Sequence, residues 1–252
     1  MHALTCALAG AISALVPAAA LAVSIDFETG FSDNEALTAT SFAAQGVVFS
    51  TINEEEGLTL DVEAVGTADS GPQGFVRDAT RRQDEVDPGL EDRIGTFFLR
   101  TGGEIEDRNF RDEAVFRISY DIVPYDFISG EIWDIDGNAS QGTEKWRVDA
   151  FDALGVLIGS VSSPTGVSTG AGSLDGDVWT FAFNDANVDG GIPNVAWIDF
   201  SFIGTKTRGL GLAFDNFTTG EAPPAIMPLP GGLPLLAAGL GLAAWSARRR
   251  QS

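Results

Sequence analysis

AVFRISY, residues 114–120, and AWIDFSF, residues 196–202, are the two stretches that decide the fold class. In the first, one face of a strand would carry positions 114, 116, 118 and 120, all apolar or aromatic, and the other would carry Arg117 and Ser119. In the second, Trp197, Asp199 and Ser201 oppose apolar positions. Because successive side chains of a strand point to opposite faces, this alternation predicts strands that bury one face.

Short runs rich in Phe, Val, Ile and Trp recur through residues 23–221, separated by Gly, Asp, Asn and Pro. The candidate strands are Val23–Phe27, Gly46–Ser50, Leu58–Val65, Thr96–Leu99, Ala114–Tyr120, Phe127–Ile135, Trp146–Phe151, Val156–Val161, Val178–Phe183, Val195–Phe202 and Leu210–Phe217. Sustained helical periodicity is absent here, and the chain has 30 glycines for turns. The pattern predicts an all-β fold, an antiparallel, jelly-roll-like β-sandwich. The charged segment Arg77–Glu113 is the exception, and we expect a connection there, either a solvated loop or a ligand-facing one.

Two scarce residue types exclude several kinds of chemistry. The 252-residue chain has one cysteine, Cys6, and one histidine, His2. Both lie inside a segment that resembles a removable leader, so the mature chain would have neither. A disulfide framework, a cysteine nucleophile, a Ser-His-Asp triad and a histidine metal site are therefore excluded.

Residues 1–22 have the pattern of a secretory signal peptide. An apolar run from Ala3 to Leu15 is followed by Pro17, and Ala20 and Ala22 stand at the minus-three and minus-one positions. This order predicts export and cleavage after Ala22. The segment before the apolar run lacks Lys and Arg, and a short N-terminal membrane helix is the alternative.

Residues 222–252 have the pattern of a second targeting signal. A Pro-rich entry is followed by an apolar stretch from Leu233 to Ala247 and then by Arg248, Arg249 and Arg250. Residues 226–247 carry no charge over 22 positions, about the length of a transmembrane helix. The arginines would stay in the cytoplasm and the acidic body would lie across the membrane. A plain tail anchor is the alternative interpretation.

The entry to this helix carries a recognisable motif. Met227, Pro228, Leu229, Pro230 and Gly231, followed by the apolar stretch and the arginines, resemble the sorting signal of PEP-CTERM proteins, in the variant read Val-Pro-Leu-Pro-Ala. The departures are Met227 for Val and Gly231 for Ala, which leave the cleavage position open. The resemblance implies a Gram-negative bacterium, recognition of the tail by a membrane exosortase, and removal of the tail after export. The protein would then lie at the cell surface or outside the cell.

The body between the two signals, residues 23–221, carries a weaker resemblance. Residues 25–28 (IDFE), 146–155 (WRVDAFDALG) and 211–217 (GLAFDNF) resemble the jelly-roll ectodomains often joined to PEP-CTERM tails. Those domains are similar to carbohydrate-binding and lectin-like sandwiches. The resemblance makes polysaccharide the candidate ligand, but each matching piece is short and occurs in many β proteins.

The charge of the body bears on its partners. Residues 23–221 contain 12 basic and 36 acidic residues, a formal net charge of −24, so nucleic acid is excluded as a partner. Carboxylate and carbonyl oxygens are the ligands of Ca²⁺, which makes calcium the candidate cofactor. Three clusters supply candidate ligands. They are Asp134, Asp136 and Asn138; Asp185, Asn187 and Asp189; and Asp26, Glu28, Asp215 and Asn216.

Each cluster has its own rationale. The first two place oxygens at alternate positions, and residues 185–190 match the first half of an EF-hand loop, but Ala196 stands where the bidentate Glu belongs. The third depends on the first and last strands being neighbours, as in jelly rolls, and would resemble the structural calcium site of carbohydrate-binding sandwiches. An Asp/Asn/Gly turn is the alternative for each.

Without His or Cys, catalysis would have to use paired carboxylates, as in glycoside hydrolysis. Candidate acids on or beside strands are Glu131, Glu144, Asp149 and Asp152. Among the tryptophans, Trp133, Trp146, Trp179 and Trp197 would stack on sugars if exposed and would fill the core if buried. The sequence favours a non-catalytic surface or matrix protein with no catalytic residues, and a secreted glycoside hydrolase is the alternative.

Overall fold

The computed structural model describes residues 22–52, 59–65, 89–102, 113–138, 140–167, 174–206 and 213–220. The expected signal peptide with Ala20, and the tail with its sorting motif and arginines, lie outside these residues; Ala22 is the first of them. Within the described ranges, no helix is both long and apolar enough to span a membrane.

Strands make up nearly all the regular structure of the described ranges. They are β1 (Val23–Ile25), β2 (Glu35–Ala36), β3 (Val47–Thr51), β4 (Thr59–Ala64), β5 (Phe97–Gly102), β6 (Glu113–Tyr120), β7 (Tyr125–Ile135), β8 (Gly137–Asn138), β9 (Gly142–Thr143), β10 (Trp146–Phe151), β11 (Leu157–Ser162), β12 (Leu174–Asn184), β13 (Trp197–Phe202) and β14 (Ala213–Gly220). Among the described residues, they are accompanied by one short helix, α1 (Glu91–Ile94), and by the 3₁₀ turns Ala43–Gln45 and Ile192–Asn194. The all-β prediction is confirmed, and each predicted strand overlaps an observed one. Sequence patterns missed the two-residue strands β2, β8 and β9.

The strands form two main antiparallel sheets. The seven-stranded sheet has the order β12-β7-β14-β5-β4-β2, with β1 pairing β14, and the five-stranded sheet has the order β11-β10-β13-β6-β3. A separate two-stranded ribbon joins β8 to β9. Because β6, β7, β10, β12, β13 and β14 belong to different sheets in turn, the chain crosses repeatedly between them, as in a jelly roll.

The core lies between the two sheets. Phe116 of β6 meets Phe214 of β14 at a ring distance of 4.8 Å, and Phe200 of β13 meets Phe181 of β12 at 5.4 Å. Ile118 is likewise almost completely buried. These residues occupy the inward positions of the alternating stretches, so burial of one face per strand holds the sandwich together.

A second, smaller apolar cluster covers part of the outer face of the seven-stranded sheet. Ile94 of α1 packs there with Phe98, Trp133 and Ala213, all at most 1% exposed. The charged segment that we expected to form a connection thus contributes, at residues 89–102, a helix and a strand to the packed structure. The sequence predicts the strand, at Thr96–Leu99, but not the helix, because three of the four helical residues are charged.

Candidate functional site

A row of polar side chains crosses the outer face of the five-stranded sheet. Register pairs Ser160 with Asp149, Asp149 with Asp199, Asp199 with Arg117, and Arg117 with Ser50, one residue from each strand. At the spacing of neighbouring strands, the row is roughly 19 Å long. Because Arg117 and Asp199 alternate with core residues along their strands, this row lies on the face of the sheet that points away from the core.

Ion pairs hold the row in place. The Arg117 guanidinium donates two bonds to Asp199, Nε to Oδ1 at 2.7 Å and Nη2 to Oδ2 at 2.9 Å. Asp149 accepts from Arg147 Nε at 2.7 Å and from the Ser160 hydroxyl at 2.6 Å. The hydrogen bond to Asp199 is the largest effect that raises the pKa of Arg117. Each carboxylate therefore has a cationic partner, and the two arginines balance the two acids.

An aromatic row lies beside the polar one, on the same face. Register places Phe151 opposite Trp197 and Trp197 opposite Ser119. The Phe151 and Trp197 rings are stacked, 5.6 Å apart with 16° between their planes. Arg117 links the two rows, because its Cζ lies 4.5 Å from the centroid of the Trp197 ring. Both rings are partly exposed.

The other tryptophans have different environments. Trp133 and Trp146 are 0% and 2% exposed, so the core interpretation is confirmed for them. Trp179 is partly buried and packs against the main core. Of these four residues, Trp197 is the one placed beside a polar row on an outer face.

The third acidic cluster forms where β1 ends. As expected, β1 pairs with β14, with Ile25 opposite Phe217. Glu28 Oε1 accepts the backbone N–H groups of Thr96 at 2.7 Å and Phe97 at 3.3 Å. Gly95 is required beside it, since a Cβ there would lie 1.9 Å from Glu28 Oε1 and φ is +67°. The Asp26 carboxylate accepts the N–H of Glu28 at 3.2 Å.

Asp215 is the most perturbed carboxyl of this cluster. It is 1% exposed, and burial, reinforced by the nearby Glu131, Glu28 and Asp26, raises the pKa of Asp215 to about 9. The backbone N–H of Asn216, which donates to Asp215 Oδ1 at 2.7 Å, opposes this rise. The raised pKa favours the protonated form of Asp215 at neutral pH.

Arg93 supplies a positive charge to the same cluster. Its Nε donates to Glu131 Oε1 at 2.8 Å and its Nη2 to Thr180 Oγ1 at 2.9 Å. The Asn216 amide donates to Glu131 Oε2 at 2.9 Å. Glu131 thus has partners on both carboxylate oxygens.

The other two candidate calcium clusters have partners within the protein. Asp134 Oδ1 accepts the N–H of Gly176 at 3.1 Å, and Asp136 pairs with Lys206. In the exposed turn after β12, Asp185 accepts the N–H of Ile192 and Asn187 accepts the N–H of Asn184. Asp189, beside them, is exposed, and the side chain of Asn138 lies outside the described residues. In the part of the chain that is described, no three His, Cys, Asp or Glu side chains form a metal-binding group.

The four acids considered for hydrolysis lie at separate places. Glu131 is on the seven-stranded sheet, Asp149 is on the five-stranded sheet, and Asp152 accepts the N–H groups of Leu154 and Val156 in a turn. Glu144 is 0% exposed and pairs with Lys206. A glycosidase needs one protonated and one ionised carboxyl facing each other across a cleft. The two acids with strongly raised pKa values, Glu144 and Asp215, are almost completely buried.

The sequence did not show which residues would line up in the two rows. Arg117 and Ser119 were recognised as outward-facing, and Trp197 as a stacking candidate, but nothing in the sequence aligned them with Phe151 and Asp149. That alignment is set by pairing between β10, β13 and β6, which are not consecutive in the chain.

No family model and no curated protein matches the chain. Some solved structures show a weak likeness. The CBM22-1 xylan-binding domain of Paenibacillus barcinonensis Xyn10C is 15% identical, with a TM-score of 0.36, over 79% of this chain and 92% of that one. The arabinose-bound MgGH51 α-L-arabinofuranosidase is 12% identical, with a TM-score of 0.42, over 79% and 26%. The Stig cyclase Fisc of Fischerella sp. TAU is 12% identical, with a TM-score of 0.39, over 81% and 100%. TM-scores this low support no inference about ligand or activity.

Proposed function

We propose that the chain is an exported, non-catalytic surface or matrix protein that binds polysaccharide on the outer face of its five-stranded sheet. The observation that carries this proposal is the pair of adjacent rows, one polar and one aromatic, that crosses the strands. A sugar ring has an apolar face and a rim of hydroxyls. Stacked aromatic rings beside fixed donors and acceptors match both features.

The row has the rigidity that a binding face needs. Asp149 and Asp199 are 6% exposed and each is held by an arginine, so little side-chain entropy is lost when a ligand binds. Ser50 and Ser160 add hydroxyls along it, and Ser119 adds one to the aromatic row.

The charges of this face favour neutral polysaccharide. Two arginines and two aspartates balance locally, whereas the body as a whole carries −24. Acidic polysaccharide would therefore be repelled at long range without finding an unpaired cation in the row. A neutral glycan is not repelled by the net charge of the body and does not need an unpaired cation in the row.

The proposed location rests on the two terminal sequence signals. Removal of residues 1–22 would release the body from the inner membrane, and the Met227–Gly231 motif with its helix and arginines would hold it until an exosortase acts. Calcium at the Asp26, Glu28, Asp215 and Asn216 cluster belongs to the same proposal, as a structural ion beside β1. Its support is the net charge of the body and the pairing of β1 with β14, which brings Asp26 and Glu28 near Asp215; the ion would displace the proton that burial keeps on Asp215.

A polysaccharide panel tests the function. The purified protein is run through gels containing neutral, acidic and amino polysaccharides, and reducing-end release is measured in parallel. We expect retardation by a neutral polysaccharide without release. Release that disappears in Glu131→Gln or Asp149→Asn would establish the glycosidase alternative instead. Absence of both retardation and release would refute the polysaccharide proposal and leave a scaffold role.

A further inference from the structure

Three charged side chains meet at one end of the sandwich. Lys206 follows β13, Asp136 lies between β7 and β8, and Glu144 lies between β9 and β10. Lys206 Nζ is 2.5 Å from Asp136 Oδ1 and 2.8 Å from Glu144 Oε1. Lys206 is 6% exposed and Glu144 is 0% exposed, while the Asp136 side chain is 23% exposed. An amine therefore touches one carboxyl that is partly exposed and one that is fully buried.

The backbone fixes the three residues relative to one another. The N–H of Glu144 donates to the carbonyl of Asp136 at 2.8 Å, and the N–H of Lys206 donates to the carbonyl of Thr143 at 3.0 Å. Gly142 and Gly166 allow a close approach of the backbone here, because a Cβ at either position would lie within 2.6 Å of Thr205 or Asp136 backbone atoms. Reacting groups held in contact in this way gain a large entropic advantage over free ones.

The choice of lysine at this position is informative. The chain contains 13 arginines but only two lysines, Lys145 and Lys206. For a purely structural ion pair with two carboxylates, arginine offers more donors in a rigid fork. Lysine differs in having a primary amine that becomes a nucleophile when it loses a proton.

We propose that Lys206 and Asp136 form an intramolecular isopeptide bond, with Glu144 as the group that shuttles protons. Lys206 Nζ passes a proton to the carboxyl pair and attacks Cγ of Asp136. The new C–N bond forms as one Asp136 oxygen leaves as water, taking its second proton through Glu144. An ammonium and a carboxylate become an amide and one water, so atoms and charge balance without an oxidant or co-reactant.

The electrostatics of the triad suit this step. Burial raises the pKa of Glu144 to about 8, so this carboxyl is easily protonated near neutral pH. Its Oε2 is buried without a hydrogen-bond partner among the described residues. Burial also favours the neutral amine, but the two carboxylates outweigh it and raise the pKa of Lys206. The ion pair is thus the resting state, and the reaction needs a proton transfer inside the triad.

The bond would supply a covalent staple to a chain that has no disulfide. It would connect positions 70 residues apart and tie the end of β7 to the end of β13. A crosslink between distant positions restricts the unfolded chain and so raises the unfolding temperature. This role is independent of whether the outer sheet face binds a ligand.

A tryptic map of the purified full chain tests the proposal. Without the bond, trypsin releases Ile118–Lys145 and Val148–Lys206 as separate peptides. With the bond, cleavage after Lys206 is blocked, and residues 118–145 stay attached to residues 148–208 in one branched peptide. Its mass is one water less than the sum of the masses of peptides 118–145 and 148–208. We expect the branched peptide in the native protein after prolonged incubation in the folded state, with fragment ions joining Lys206 to Asp136.

Variants separate the roles of the three residues. Glu144→Gln and Lys206→Arg should give unlinked peptides, whereas Lys145→Arg, which changes the other lysine, should give the branched one. Circular dichroism confirms that each variant is folded. Complete cleavage after Lys206 in the folded, incubated wild-type protein would overturn the proposal regardless of the variants. Fragment ions that place the link on Glu144 would overturn the assignment of Asp136 as the acyl group.

Discussion

Replacement of Asp215 by Asn removes a buried acid whose titration opposes folding as the pH rises. Burial, with help from Glu131, Glu28 and Asp26, raises the pKa of Asp215 to about 9, whereas an ordinary Asp in the unfolded chain titrates near 3.9. Between these values the folded state binds one more proton than the unfolded state. The contribution of Asp215 to the free energy of unfolding is therefore fully present below the pKa of the unfolded state and is lost progressively as the pH rises to the pKa of the folded state.

The size of the effect follows from this difference in bound protons. One proton changes the free energy of unfolding by about 1.4 kcal/mol per pH unit, so wild-type protein should lose roughly 2 to 3 kcal/mol between pH 5 and pH 7 through Asp215. Asn keeps an oxygen to accept the Asn216 N–H but has no charge to bury. Asp215→Asn should therefore match wild type near pH 4 and become more stable than it at neutral pH.

Urea unfolding at several pH values measures this. Asp121→Asn is the matched control, because it removes an exposed carboxyl at the end of β6 and should leave the wild-type slope unchanged. Glu144 titrates with the same sign, since burial raises its pKa to about 8, so Asp215→Asn should keep part of the slope. Parallel plots of stability against pH for wild type and Asp215→Asn would refute the burial of an unpaired acid at β14.

Other changes test neighbouring parts of the structure. Gly95→Ala should cost about 2 kcal/mol or more, because φ is +67° and the new Cβ would displace Glu28; Gly89→Ala, with φ +95° but open space around it, should cost only the backbone part in the same urea assay. Excess Ca²⁺ should raise the melting midpoint relative to chelator, and the difference should shrink in Asp215→Asn; equal midpoints would reject a structural ion. N-terminal sequencing of the protein from its host should begin at Val23, and intact mass should show loss of the tail only in cells that contain the exosortase; a chain that begins at Met1 would contradict export by cleavage.

The alternation of apolar and polar residues predicted most of the fold. In the stretches 114–120 and 196–202, the inward-facing side chains are at most 1% exposed: Phe116, Ile118, Ile198 and Phe200. When only one face of a strand is buried, alternation of apolar and polar residues determines which side chains face the core. The α1 helix was missed because it has only four residues, three of them charged. Local periodicity cannot reveal a helix that packs through a single apolar residue, here Ile94.

The candidate sites were less predictable, because they depend on contacts between distant positions. Adjacency of β1 and β14 was expected from the topology of jelly rolls, and it brings the Asp26 segment to Asp215. No comparable rule pairs Lys206 with Asp136, which lies 70 positions away, or aligns Arg117 with Asp149 through the intervening Asp199. A single residue of slippage between these strands would turn the side chains to the other face.

Binding of polysaccharide by the aromatic and polar rows is tested by comparing two aromatic variants on opposite sheets. The dissociation constant of the best-retained neutral polysaccharide is measured by calorimetry for wild type, Trp197→Ala and Phe127→Ala. Phe127 is 41% exposed on β7 and serves as the matched aromatic control. We expect Trp197→Ala to weaken binding at least about tenfold, or 1.4 kcal/mol, while Phe127→Ala leaves it unchanged. Equal affinity of folded Trp197→Ala and wild type would contradict binding of polysaccharide at these rows.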